Sequence, residues 1–147
     1  MSEIKGNILW ADEDIDYMDP YVEYFTLKGL YVKTVSNPEQ FFDSLKILKW
    51  DLFILDMMFP RGSIFSRQES DGGKRTGLQM LKRLKGDTKS KDIPIIIRTG
   101  ITNNQEIVDE CIAAGLKADC FFEKPGNLFK FYQKIVFEIK LYQAVNE

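Results

Sequence analysis

A chain of 147 residues, 44 % hydrophobic and 29 % charged, is long enough to close one hydrophobic core and has the balance of a soluble globular protein. Its 20 basic and 22 acidic residues leave a net charge of −2, which supplies no field to draw in nucleic acid or an anionic membrane. With no histidine, imidazole general-base catalysis, a Ser-His-Asp triad and the usual imidazole metal sites are excluded, and the two cysteines, Cys111 and Cys120, make neither a disulfide framework nor a zinc signature.

Short apolar runs alternate with amphipathic stretches along the chain. The first strand is expected at Ile8–Ala11. Met18, Val22 and Phe25 then stand at helical spacing and Gly29 stops the helix, with Pro20 predicting a late start capped by Asp19, or a kink. A second strand follows at Tyr31–Val35. Asn37-Pro38-Glu39-Gln40 combines an N-cap, a first-position proline and a capping-box glutamine, and Phe41, Phe42, Leu45 and Leu48 form the apolar face of that helix. Leu52–Leu55 is a continuous apolar run, as a strand covered on both faces requires.

After it comes a long polar stretch. Leu78, Leu81 and Leu84 mark the third helix, and Ile93–Arg98 the fourth strand. Thr102-Asn103-Asn104-Gln105 is a second capping box, opening a helix with Val108, Cys111 and Ile112 that ends at Gly115. The fifth strand is expected at Ala118–Phe122, and the last helix runs from about residue 127 to 144. In that helix Leu128, Phe131, Ile135, Ile139 and Tyr142 form a core stripe. Phe129, Tyr132 and Val136 form a second, read as a wide buried face or as a partner surface.

Five βα units with right-handed crossovers give a three-layer, doubly wound parallel sheet over a single domain, residues 1–147. Ligands of such sheets bind beyond the carboxyl ends of the strands. Those positions hold Asp12-Glu13-Asp14, Asp56, Thr99 and Lys124-Pro125. Carboxylates crowded on one rim need a cation, and the candidates are Lys124 and a hard divalent ion held by oxygen ligands. Without histidine, and with both cysteines elsewhere, Mg²⁺ suits the set better than zinc. Such a site is suited to phosphoryl transfer, with Asp56 as nucleophile and Thr99 as a hydroxyl donor.

The segments Ile8-Leu9-Trp10-Ala11-Asp12-Glu13-Asp14, Phe53-Ile54-Leu55-Asp56-Met57-Met58-Phe59-Pro60, Ile95-Ile96-Ile97-Arg98-Thr99-Gly100 and Cys120-Phe121-Phe122-Glu123-Lys124-Pro125 resemble the receiver domain of bacterial response regulators, over nearly the whole chain. The resemblance implies the flavodoxin-like strand order 2-1-3-4-5. It also implies Asp12 and Glu13 as the acidic pair for Mg²⁺, one binding directly and one largely through water. Asp56 becomes phosphoacceptor and metal ligand, and the Met58 backbone carbonyl a further ligand. Thr99 becomes the switch hydroxyl, Lys124 the phosphate-pairing lysine, Phe121 the aromatic switch, and the Lys124-Pro125 bond a cis one. A histidine kinase or histidine phosphotransfer protein would be the donor. The face of the fourth helix, fifth strand and fifth helix would meet a downstream protein target, or a second copy in a homodimer. A cytoplasmic, stand-alone receiver is expected, which catalyses its own phosphorylation and slow dephosphorylation without being a dedicated enzyme.

Some features depart from the family pattern. An insertion of about residues 61–75 lengthens the loop after the third strand; it is read as a mobile surface loop or as a partner-recognition or lid element. Arg98 ends the fourth strand where smaller or apolar residues are usual, and either pairs with the acidic rim or points outward. Met58 and Ile101 place apolar side chains near the site, which suggests slow self-hydrolysis. The main alternative is a pseudo-receiver that keeps the fold as an interaction module without phosphorylation. A Mg²⁺-dependent aspartyl-phosphate phosphatase would want a second aspartate where Met58 stands. A nucleotide-binding domain would want a glycine-rich turn after the first strand. There is no recognition-helix unit for DNA and no apolar run near the roughly 18 residues of a membrane span.

Overall fold

The computed structural model describes residues 4–60, 62–100, 105–124 and 126–146, without the side chains of Ile15 and Thr99. The elements are β1 (Gly6–Ala11), α1 (Ile15–Leu27), β2 (Leu30–Val35), α2 (Pro38–Ser44), β3 (Leu52–Asp56), α3 (Thr76–Lys85), β4 (Ile95–Thr99), α4 (Gln105–Ala113), β5 (Phe121–Glu123) and α5 (Leu128–Val145). All neighbouring strands pair in parallel, in the order β2-β1-β3-β4-β5.

Side chains alternate across each strand, so the apolar runs feed two cores at once. On one face Ile8, Trp10, Leu52, Ile54 and Ile96 pack against Met18, Tyr21 and Phe25 of α1 and Phe131, Ile135 and Ile139 of α5. On the other, Leu9, Ala11, Phe53, Leu55, Ile95 and Ile97 pack against Phe41 of α2, four apolar residues of α3, and Cys111 of α4. Burying an aromatic or branched side chain in these layers contributes roughly 1.5–3 kcal/mol relative to leaving it exposed.

The starts of α1, α2 and α5 follow local capping chemistry. Asn37 caps α2 by accepting from the Gln40 backbone N–H at 2.8 Å, and the Gln40 side chain reaches back to the Ser36 N–H. Asn127 caps α5 in the same way from Lys130. Helix α1 corrects the expected late start. It begins at Ile15 under an Asp14 cap, with Pro20 inside it. Proline removes one N–H from the ladder, and its would-be acceptor belongs to exposed Asp16, where water can serve. Three buried residues, Met18, Tyr21 and Phe25, hold the helix continuous past it. Gly29 turns the chain at φ +95°.

Other differences are local. β4 starts at Ile95 and β5 at Phe121, later than expected. Helix α2 ends at Ser44, which leaves Leu48 39 % exposed rather than on the core face. The second α5 stripe splits, with Tyr132 against Tyr24 and Phe25 but Phe129 exposed. The capping residues Thr102, Asn103 and Asn104 lie outside the described residues, as do Arg61, Ile101 and Pro125 with its peptide bond.

The insertion is not purely a surface loop. Phe65 is 3 % exposed, packs on Phe42, and lies 4.9 Å below the Arg83 guanidinium. Ser70 is fully buried and donates to the Ser66 carbonyl. At one end the Ser63 N–H and hydroxyl both bond the Glu39 carboxylate of α2; at the other Arg75 pairs with Glu110 and, at 3.4 Å, with Glu106 of α4. The segment ties α2 to α4 across the end of β3.

Candidate functional site

Parallel strands deliver their carboxyl ends to one rim. Ala11 and Leu55 are register partners, so the next residues, Asp12 and Asp56, stand side by side; Asp56 pairs in turn with Arg98, and Arg98 with Phe122. All four continue the face that carries Trp10, Ile54 and Ile96.

Asp12 is fully buried, and Asp56 is 8 % exposed. One carboxylate oxygen of Asp12 accepts from the Asp14 backbone N–H at 3.0 Å. The other takes the Lys124 ammonium at 2.7 Å, and the same ammonium reaches Asp56 Oδ2 at 3.2 Å. The Met58 backbone N–H also bonds the Asp56 carboxylate. Lys124 is placed by β5, which ends one residue before it, and lies 5.1 Å from the centre of the Tyr17 ring in the first turn of α1.

Two buried acids therefore share one ammonium. Burial first, and the Asp12 charge second, push the Asp56 carboxyl up to about 7, against the lowering effect of Lys124 and the Met58 N–H. A carboxyl held above its unfolded value binds a proton in the fold that the unfolded chain releases. Its stabilisation is present below about pH 4 and is lost as the pH rises through about 7. In metal-free protein, the gain in unfolding free energy on Asp56→Asn is thus expected to grow between about pH 5 and about pH 8, to the order of 2 kcal/mol. Paired denaturation curves in chelator check this; a gain that shrinks with pH contradicts it.

Excess negative charge, all-oxygen donors and the absence of nitrogen or sulfur ligands fit a hard divalent cation such as Mg²⁺. Asp12 and Asp56 are the buried donors. Glu13 follows directly and is exposed; Met58 is 42 % exposed, and only its backbone carbonyl would serve. Thr99 ends β4 beside this rim, but its side chain lies outside the described residues. Phe121 pairs with Ile97 and is half-buried against the opposite core, on the other side of the sheet from the Asp12–Asp56 row.

Arg98 takes neither expected course. It is fully buried, donates to the Tyr17 hydroxyl, and makes no ion pair among the described residues. Sequence reasoning passed over Tyr17, whose ring contacts both site cations. Gly77 of α3, just beyond the insertion, also stands close to the site. The Gly77 N–H donates to the Met57 carbonyl at 3.0 Å, and a Cβ there would stand 2.7 Å from the Asp56 carbonyl oxygen and the Met57 Cα. Nothing in local periodicity marks either residue.

Two other features lie apart. A cavity of about 290 Å³ near the amino ends of β4 and β5, among Leu116, Cys120, Leu141 and Tyr142, shares no residue with the rim. Asp119, Cys120 and Glu138 gather in the same region, but both acids are already paired with lysines. Both cysteines are buried and free. No helix among the described residues is long and apolar enough to cross a membrane.

Comparison with known proteins gives the family and the fold. The family model described as the response regulator receiver domain matches residues 8–136. The response regulator RR06 of Streptococcus pneumoniae serotype 2 (strain D39 / NCTC 7466) is 23 % identical over 144 residues, which is 96 % of this chain and 56 % of that protein. The chain thus spans little more than half of this curated relative. Among solved structures, a CheY-like receiver domain protein from Methanospirillum hungatei JF-1 superposes with a TM-score of 0.76 at 17 % identity, over 96 % of this chain and 98 % of that one. The chemotaxis response regulator CheY4 of Vibrio cholerae gives 0.70 at 19 % identity, over 90 % and 99 %.

Proposed function

The chain belongs to the response regulator receiver domain family, and from that premise we propose that it is a phosphoacceptor signalling protein in which Asp56 takes a phosphoryl group from a histidine kinase or a histidine phosphotransfer protein. The observation that carries the reading is the single Lys124 ammonium shared by two buried carboxylates at the carboxyl edge of a parallel sheet.

The chemistry follows from those groups. A carboxylate oxygen of Asp56 attacks the phosphorus of a phosphohistidine in line. The P–N bond breaks, its electron pair leaves on the imidazole nitrogen, and an acyl phosphate remains on Asp56. Lys124 lies 3.2 Å from Asp56 and needs only a small shift to pair with a phosphoryl oxygen. Asp12, Asp56 and the Met58 carbonyl, with Glu13 acting through water, would hold Mg²⁺. When bound, this ion neutralises charge that develops on the transferring group. Thr99 would donate its hydroxyl to the new phosphoryl group. Phe121 would follow it and alter the α4–β5–α5 face, where a downstream target or a second copy docks. The readout is a shift between two packings, driven by contacts the phosphoryl group makes in only one of them. The protein turns over its own acyl phosphate slowly and is not a dedicated enzyme.

Phosphotransfer from autophosphorylated histidine kinases checks the reading. Label is expected to move to this chain from at least one kinase or phosphotransfer protein when Mg²⁺ is present, and not in excess chelator. Label that never moves from any such donor, while a control receiver is filled, would defeat it.

A further inference from the structure

Arg98 is a charged side chain that the proposed chemistry leaves unused. It is fully buried, on the same sheet row as Asp12 and Asp56 and directly paired with Asp56 in the β3–β4 register. Its guanidinium carbon lies 4.3 Å from the ring centre of Phe131, 5.3 Å from Tyr21, 5.5 Å from Phe122 and 5.6 Å from Tyr17. One nitrogen donates to the Tyr17 hydroxyl; Nε and Nη1 have no acceptor among the described residues. Gly126 leaves room for it, since a Cβ there would meet Nη1 at 3.0 Å.

A guanidinium buried without a carboxylate partner carries a desolvation cost that ring faces offset only in part. Filling the space between α1, α5 and the sheet does not require charge. A methionine would fill it with better-matched chemistry. Burial lowers the Arg98 pKa to about 10, with the Asp12 charge opposing that shift, so the group remains a cation at neutral pH. Lys124 lies against the same Tyr17 ring, 5.1 Å from its centre. Two buried acids are thus matched by two cations, of which only Lys124, with 18 % of its side chain exposed, has freedom to move.

We propose that Arg98 is a fixed internal counter-cation for the Asp12–Asp56 pair, a positioning residue that weakens Mg²⁺ binding until a phosphoryl group adds its negative charge. A divalent ion entering beside Asp12 and Asp56 displaces Lys124 but cannot displace a caged guanidinium, and meets its repulsion. A phosphoryl group carries up to two negative charges and reverses that balance. Metal and phosphoryl binding are therefore coupled more strongly than the shared ligands alone would make them. The inference rests on the phosphoacceptor reading and assigns its metal dependence to one residue.

The test is Mg²⁺ titration of the folded protein, by calorimetry and Trp10 fluorescence, with and without beryllofluoride as phosphoryl mimic. Trp10 packs on Phe131, the ring nearest Arg98. Arg98→Met is expected to bind Mg²⁺ about tenfold more tightly than the parent without beryllofluoride, and to show weaker coupling between the two ligands. Arg98→Lys is expected to stay close to the parent. The thermal midpoint of Arg98→Met should equal or exceed that of the parent; if this variant does not fold, Arg98→Gln carries the same expectation for Mg²⁺. A neutral variant whose Mg²⁺ affinity lies within twofold of the parent overturns the inference and leaves the phosphoacceptor reading intact. Failure of parent and variants alike to bind Mg²⁺ at millimolar concentration, even with beryllofluoride, overturns both.

Discussion

Asp56→Asn is expected to incorporate no phosphoryl group from acetyl phosphate and Mg²⁺, a loss of at least roughly a thousandfold against the parent chain. The amide keeps the size of the carboxylate and its place at the end of β3, but offers no anionic oxygen to attack phosphorus. Lys124 keeps its contact with Asp12 at 2.7 Å, so the rim stays assembled. One of two adjacent buried acids becomes neutral, so the fold should be unharmed or firmer at neutral pH, and the loss cannot be ascribed to unfolding. Intact-protein mass spectrometry reads the result directly. Undiminished phosphoryl uptake by the variant, with the group mapped to another residue, would remove Asp56 from its proposed role.

Gly77→Ala is expected to lower stability by about 2–3 kcal/mol and to slow phosphorylation by roughly a hundredfold. The clash is with backbone on both counts: the Asp56 carbonyl oxygen and the Met57 Cα would each lie 2.7 Å from the new methyl. Flexible side chains can step aside, but here the start of α3 or the end of β3 must move. The end of β3 carries Asp56. A displacement of some tenths of an ångström passes directly to the oxygen that attacks, and catalytic geometry is steep in that displacement. Gly100, on the same rim, is the control. An added Cβ there meets nothing within 4 Å among the described residues, so Gly100→Ala should stay within about 0.5 kcal/mol of the parent. Equal behaviour of the two variants in urea denaturation and phosphorylation would show that α3 does not brace the site.

The sequence by itself determined the alternation of strands and helices, the cap at Asn37, and the strand-end positions of Asp12, Asp56 and Lys124. Each is a local property. Continuous apolar runs such as Leu52–Leu55 suit strands covered on both faces, and a parallel sheet must bring its strand ends to one edge. The tertiary structure alone decided the rest. Pro20 sits inside α1 because an Asp14 cap and a buried face outweigh one lost backbone bond. Phe65 of the insertion found a place beside Phe42 and Arg83, which no pattern within the insertion encodes. Gly77 matters through an approach between two backbones about twenty residues apart. Arg98 lies inward because rings from α1, β5 and α5 close around it. Those partners lie up to 81 residues away in the chain, beyond the reach of any local periodicity.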